Sequence, residues 1–272
     1  MNRPLVSIIT VTYNARNTIE QTIQSVFSQT YPNIEYLIID GGSNDGTVNL
    51  ILQNASRLNY WVSEKDQGIY DAMNKGIRLA KGNLIGIINA GDYYQPDAVE
   101  NIVEAYRKHP EYGIFHGNIH LRNEDGSFFK LKKPNPDLSQ LYRGMSLFHP
   151  TVFVRKEIYE KTGLYDCRFE IAADFDFILR NYLAGTLFFY IDQVIADFKQ
   201  GGFSGRNKLR SHRECRDILY KNGYEKTIVE PLFKRWNKIY RKQRILDLGY
   251  AIVRKLFSDK IANKIASYIT NK

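Results

Sequence analysis

The chain opens on an almost unbroken apolar run. Val6-Ser-Ile-Ile-Thr-Val-Thr12 is rich in β-branched residues and stops at Tyr13-Asn14, the pattern of a strand buried on both faces. From Thr18 to Phe27 the apolar residues Ile19, Ile23, Val26 and Phe27 return at helical spacing. Tyr36-Leu-Ile-Ile39 repeats the strand pattern and is closed by Asp40-Gly-Gly-Ser-Asn-Asp-Gly-Thr47, after which Val48 to Gln53 begins a helix. Asn59 to Ser63 predicts a short third strand. Ile69 to Ala80 predicts a helix with Met73, Ile77 and Ala80 on one side, ended by Lys81-Gly82 before a strand over Leu84 to Ile88.

This alternation implies an α/β fold with a mostly parallel sheet covered on both faces, and such sheets bind ligands outside the carboxyl ends of their strands. Tyr13, Asp40 and the segment Asn89 to Asp92 all fall there. The second half is mixed. A helix over Asp97 to Lys108 and a strand over Gly113 to Phe115 lead into an antiparallel stretch, Asn118 to Leu131, around the turn Asn123-Glu-Asp-Gly126. A helix over Ala173 to Ala184 and a strand over Leu187 to Ile191 precede the glycine-rich Gln200-Gly-Gly-Phe-Ser-Gly205, and the remainder reads as helical and basic. No second Rossmann unit is expected. The expected organisation is a catalytic domain over 1–205, with a donor-binding half (1–100) and an acceptor-side half (101–205), then a helical extension over 206–272.

Composition narrows the function classes. The 272 residues are 43% hydrophobic, enough for one sizeable core, so disorder is excluded. Cys167 and Cys215 match no disulfide or zinc spacing. The net charge of +9 is concentrated after residue 200, where 18 Lys/Arg face 6 Asp/Glu, and the rest is slightly acidic. No apolar run has bilayer-spanning length and no cleavable signal pattern opens the chain, so a cytoplasmic location is expected, peripheral on the inner membrane face if the tail binds lipid. The dinucleotide G-x-G-x-x-G, the P-loop and the G-x-S-x-G elbow are absent, and no helix-turn-helix, zinc or RNP pattern supports nucleic acid as a partner. The loop Asp40 to Thr47 fails as an EF-hand, because its third position is Gly42 and its sixth Asp45.

Four segments in order then carry a resemblance: Ser7-Ile-Ile-Thr-Val-Thr-Tyr-Asn14, Ile39-Asp-Gly-Gly-Ser-Asn-Asp-Gly-Thr47, Asp66-Gln-Gly-Ile-Tyr-Asp-Ala-Met-Asn-Lys-Gly76 and Ile88-Asn-Ala-Gly-Asp92. Together they resemble the family-2 inverting glycosyltransferases with the GT-A fold, in particular the bacterial exopolysaccharide and colanic-acid type. Phe148-His-Pro-Thr-Val-Phe-Val-Arg155 and Ala173-Asp-Phe-Asp-Phe-Ile-Leu-Arg180 extend it. The tail lies outside it.

The resemblance implies transfer of a sugar from a nucleotide-diphosphate donor, a UDP-sugar before others, to a saccharide hydroxyl. It places Thr12 and Tyr13 at the donor and Asp40 on the base edge, where a carboxylate accepts an N–H. Taken alone, Asp40 equally suits a turn. Ser43, Asp45 and Thr47 read as holding the loop and capping the next helix. Tyr70, Asn74 and Lys75 are expected at the ribose or phosphates, and a surface helix serves them as well. Asn89-Ala-Gly-Asp92 resembles the acidic DxD-type element with only Asp92 acidic, so Asp92 is the expected ligand of Mg²⁺ or Mn²⁺, with Asn89 on the donor side. Asp174 matches the catalytic carboxylate of the family's Glu-Asp element, with Ala173 in place of the glutamate. It also suits a helix N-terminus, and Asp176 is its rival. His149 is expected on the acceptor side or in a structural role, while His116 and His120 share a strand face without a third ligand. Gly201 to Ser204, with Arg206 or Lys208, reads as a loop over the diphosphate or as a linker.

In the tail, basic residues from Lys234 to Lys264 interleave with Trp236, Ile239, Tyr240, Ile245, Ile252, Leu256, Phe257, Ile261 and Ile265, the pattern of basic amphipathic helices. Three partners are open to it: an anionic membrane surface carrying a lipid-linked acceptor, the catalytic domain, and a second subunit.

Overall fold

A computed structural model of the chain describes residues 3–123, 125–200, 202, 207–234 and 236. The chain divides into two compact units, Met1–Cys215 and Arg216–Lys272.

The first unit is α/β, as the alternation requires. In chain order it runs β1 (Val6–Thr12), α1 (Ile19–Phe27), β2 (Ile34–Asp40), α2 (Thr47–Asn54), β3 (Tyr60–Ser63), α3 (Ile69–Leu79), β4 (Leu84–Asn89), β5 (Tyr93–Tyr94) and α4 (Ala98–Lys108). It continues through β6 (Ile114–Arg122), β7 (Phe128–Lys132), β8 (Phe153–Arg155), α5 (Lys156–Thr162), α6 (Ala173–Leu183) and β9 (Phe188–Lys199) to α7 (Lys208–Lys221). These strands form a 9-stranded sheet in the order β3-β2-β1-β4-β8-β6-β9-β5, with β7 added on β6. β1 to β4 pair in parallel, and β8 enters antiparallel between β4 and β6. α7 crosses into the second unit, where residues 226–234 form a further helix, α8.

Every residue of β1 is buried, which is why its apolar run is continuous rather than alternating. Its side chains serve two cores. Ile8, with Ile38 and Ile88, joins a cluster that includes Ile19 and Ile23 of α1 and Val99 and Ile102 of α4. Ile9 points the other way, toward α3, where Gly76 leaves no room for more: a Cβ there would lie 2.5 Å from the Ile9 side chain. Buried polar groups in this layer are paired, as burial demands. Ser7 donates to Glu35 at 2.5 Å, and Glu35 also accepts the Lys81 N–H at 2.8 Å.

The structure departs from the sequence expectations mainly in the second half. The strand expected over 113–115 and the antiparallel stretch from 118 form one continuous β6, and β9 extends to Lys199, well past 191. These two strands pair in parallel along their lengths, with register shifts between Gly117 and Ile119. β5 and β8 carry no strong periodic signal, because two or three residues are too few to show one, and the seven-residue α5 spans only two turns. Most of the segment Gly201 to Arg206 and the tail beyond Trp236 lie outside the described residues, so the expected loop over the diphosphate and the tail helices are not part of this description.

Candidate active site

The carboxyl ends of β1, β2, β3 and β4 converge through their parallel registers, which set Thr12 beside Asp40, Asp40 beside Ser63, and Val11 beside Asn89. Tyr13 follows β1 and is 64% exposed, so it is no core residue and its ring is open for stacking. Asn14, with φ of 48°, turns the chain there, a left-handed conformation that asparagine tolerates better than most residues. Its N–H meets Ser43 Oγ at 2.7 Å, and its side chain accepts the Asn44 N–H at 3.0 Å.

Asp40 is fully buried and organises that loop. Its Oδ2 accepts Gly42 N–H at 3.1 Å, Ser43 N–H at 2.8 Å and Ser63 Oγ at 2.6 Å, while its Oδ1 accepts Ser43 Oγ at 2.5 Å. Three of these bonds crowd Oδ2, while Oδ1 takes one of the two it can accept, so Asp40 serves its own loop and keeps one acceptor position on Oδ1. Ser63 was absent from the sequence reading, and nothing in its short strand marks it. Asp45 and Thr47 hold the loop as expected: Asp45 Oδ1 accepts Thr47 N–H at 3.0 Å, and Thr47 Oγ1 accepts Ala15 N–H at 2.8 Å. The N-cap position itself is Gly46.

Asp92 lies in a turn that α1 holds. Gly91 has φ of 108°, a conformation strained for any side chain. Its N–H meets Thr22 Oγ1 at 3.0 Å, and the same hydroxyl donates to the Asp92 carbonyl at 2.8 Å. The Asp92 side chain is buried, and its Oδ1 accepts Lys199 N–H at 3.2 Å from the end of β9. Burial pushes the carboxyl up to about 7, with the Lys199 amide pulling weakly the other way. At the carboxyl ends of β1 and β4, two buried side-chain oxygens, Thr12 Oγ1 and Asn89 Oδ1, have no hydrogen-bond partner among the described residues. Buried polar atoms are rarely left so unless a ligand or water completes them.

Among the described residues, no three His, Cys, Asp or Glu side chains gather into a cation cage. The donor set at this edge is one carboxylate, Asp92, plus the unpaired amide oxygen of Asn89. It fits a hard cation that keeps water and takes the rest of its shell from a phosphate ligand, the habit of Mg²⁺.

Asp174 stands in the first turn of α6. Its Oδ1 accepts Phe175 N–H at 2.8 Å and lies 3.1 Å from the Tyr70 hydroxyl, which also donates to the Ile171 carbonyl at 2.7 Å. Burial, reinforced by the Asp174 charge, holds the Tyr70 hydroxyl protonated. The rival Asp176 is fully buried and paired with Arg180 at 2.8 Å, which removes it from contention. His149 is structural: it meets Tyr165 OH at 3.2 Å, and burial lowers its pKa against the opposing charge of Asp174.

Asn74 and Lys75 are both engaged within the protein. Asn74 is buried, and its amide is spent on Tyr165, donating to the carbonyl at 2.8 Å and accepting the N–H at 3.0 Å, so it faces the core. Lys75 is ion-paired with Glu64 at 2.9 Å and lies 3.7 Å from Asp71. His116 and His120 gain no third ligand among the described residues.

Residues 7–170 match the family model for glycosyl transferase family 2. The chain belongs to that family. Over 256 residues it is 27% identical to a PGL/p-HBAD biosynthesis glycosyltransferase of Mycobacterium bovis, covering 90% of this chain and 96% of that one. Over 186 residues it is 37% identical to an uncharacterized glycosyltransferase of Mycobacterium tuberculosis, covering 66% and 70%. The fold is GT-A, and it resembles Staphylococcus aureus TarS solved with UDP-GlcNAc (TM-score 0.63, 15% identity, 84% of this chain and 70% of that one). A mannosyltransferase of Pyrobaculum calidifontis, solved with GDP-Man and Mn²⁺, aligns over 99% of this chain and 80% of its own (TM-score 0.62, 18% identity). Asp92 lies within the matched residues, and Asp174 on α6 follows just beyond them.

Proposed function

We propose that the protein transfers a sugar from a nucleotide-diphosphate donor to a saccharide hydroxyl with inversion at the anomeric carbon. The observation that carries this reading is the buried Asp92 carboxylate at the sheet edge, together with the unpaired Thr12 and Asn89 oxygens, in a family-2 chain. The donor diphosphate lies over that edge and its base stacks on the exposed Tyr13. Asp40 is fully buried and can offer a base imide N–H only the remaining position on Oδ1, so base recognition falls first to the exposed Tyr13. The nucleotide sugars named with the two solved relatives support a donor of that class here.

Asp92, with Asn89, would hold Mg²⁺ or Mn²⁺, which when bound supplies charge stabilisation for the departing nucleoside diphosphate. Asp174 is the general base. With Oδ1 engaged by Tyr70 and Phe175, Oδ2 takes the acceptor proton as the acceptor oxygen attacks the anomeric carbon. The bond from that carbon to the diphosphate breaks on the opposite face, and configuration inverts. The acceptor is a saccharide of bacterial surface polysaccharide assembly, lipid-linked, with the basic tail drawing the enzyme to the inner membrane face.

A thermal-shift screen of UDP, GDP, CDP and dTDP with Mg²⁺ or Mn²⁺ tests the donor site. One nucleotide should raise Tm in a cation-dependent way, since a ligand at 100 times its Kd stabilises by about 2.7 kcal/mol. No response to any nucleotide with either cation overturns the reading.

A further inference from the structure

α6 begins without a cap of its own. Its N-cap residue is Ala172, whose side chain cannot accept a hydrogen bond. The amides around the start of the helix therefore need an external acceptor, and the helix dipole favours a negative one. That acceptor is Glu214 of α7, a buried carboxylate. Its Oε2 accepts Ile171 N–H at 2.8 Å and Ala172 N–H at 3.0 Å, and its Oε1 accepts Glu170 N–H at 3.2 Å. Arg210, one turn earlier in α7, lies 3.3 Å from Glu214 and is also paired with Glu170.

The same short segment meets the base. Ile171 gives its N–H to Glu214 and its carbonyl to the Tyr70 hydroxyl, and that hydroxyl lies 3.1 Å from Asp174 Oδ1. We infer that Glu214 is a positioning residue for catalysis: it holds the Glu170, Ile171 and Ala172 amides ahead of α6 and fixes the Ile171–Tyr70 contact, so that Asp174 spends only Oδ1, on Phe175 and Tyr70, and keeps Oδ2 for the acceptor proton. This rests on the reading of Asp174 as the base. Without Glu214 those three amides lose their acceptor, and Asp174, two residues beyond Ala172, turns Oδ2 into them. A carboxylate held by backbone N–H groups, with a neighbouring negative charge also removed, is a weaker base. Four groups that face Asp174 among the described residues are uncharged at neutral pH. Burial keeps the Tyr70 and Tyr165 hydroxyls protonated and His149 neutral, and pushes the Cys215 thiol up to about 12. On α6 itself, Asp176 is bound to Arg180.

The test uses Glu214→Gln and Glu214→Ala in the full chain, with two readouts. The carboxyl carbon resonance of Asp174, assigned with Asp174→Asn, needs no donor and should shift in both variants as the carboxylate takes up the freed amides. Release of nucleoside diphosphate from the donor sugar of the nucleotide found in the screen should fall about tenfold in kcat, with nucleotide Kd unchanged. An unmoved Asp174 resonance overturns the proposal, as does a kcat loss matched by an equal loss of nucleotide affinity, the mark of a purely structural role. If Glu214→Ala does not fold, Glu214→Gln, which keeps size and one acceptor, decides. The base reading fails separately, if Asp174→Asn retains transfer.

Discussion

At the scale of single residues, the chemistry rests on side chains that the fold leaves unsatisfied. Among the described residues Asp92 is buried with one amide donor and no cationic partner acting on it, so Asp92→Asn should abolish the cation-dependent part of nucleotide stabilisation while leaving the cation-free protein folded. Thermal shift with and without EDTA measures it. His116 makes a different point. It is buried, its Nδ1 has no partner, and burial lowers its pKa from the ordinary 6.5 to about 4. Below pH 6.5 the unfolded chain binds a proton that the folded chain refuses, so stability is full above that pH and is lost as pH falls toward 4. The loss attributable to this residue reaches roughly 3 kcal/mol. Urea midpoints at pH 7 and pH 4.5 should diverge for the wild type and less so for His116→Gln.

At the scale of elements, the site depends on bridges between segments distant in sequence. Asn74 in α3 binds the Tyr165 backbone twice, tying α3 to the chain that leads into α6. Asn74→Ala leaves a buried carbonyl and a buried N–H unpaired, each worth about 1 to 3 kcal/mol, so a loss of roughly 2 to 5 kcal/mol in denaturant unfolding is expected. Transfer should fall in the same variant, because Tyr70 and Asp174 sit across that bridge. The same logic governs Asn74: helical periodicity places it on α3, but only the loop that packs over α3 ties its amide to the Tyr165 backbone. The turn at Asp92 works alike, held by Thr22 from α1 and Lys199 from β9, contacts over long sequence separations with no local pattern.

At the scale of the whole molecule, charge is the ordering feature, since the basic excess lies beyond residue 200 and the first 200 residues are slightly acidic. Co-sedimentation with anionic vesicles at low salt should retain the full chain and weaken steeply as salt rises, because exposed charges are screened over about 10 Å at 0.1 M. A chain ending at Lys234 should lose this retention. The cut belongs there and not near Arg206, since α7 carries Glu214 and with it the cap on α6. Retention of the shortened chain equal to that of the full one would remove the tail from the membrane proposal.

By itself, the sequence determined the α/β alternation through Lys108, the helix carrying Asp174, the loop around Asp40 and the family, because those depend on local periodicity and on short motifs read in order. It also singled out Asp92 as the lone acid of its element. Tertiary structure alone decided which polar groups are free. Asp40 and Asn74 are bound to neighbours, Thr12 and Asn89 are left open, and Asp176 is removed by Arg180. It also placed Glu214, 40 residues from Asp174 in the chain, on the amides beside it. The reason is physical: a hydrogen bond depends on which groups the folded backbone brings within about 3 Å, and for pairs so far apart in sequence no spacing rule encodes that.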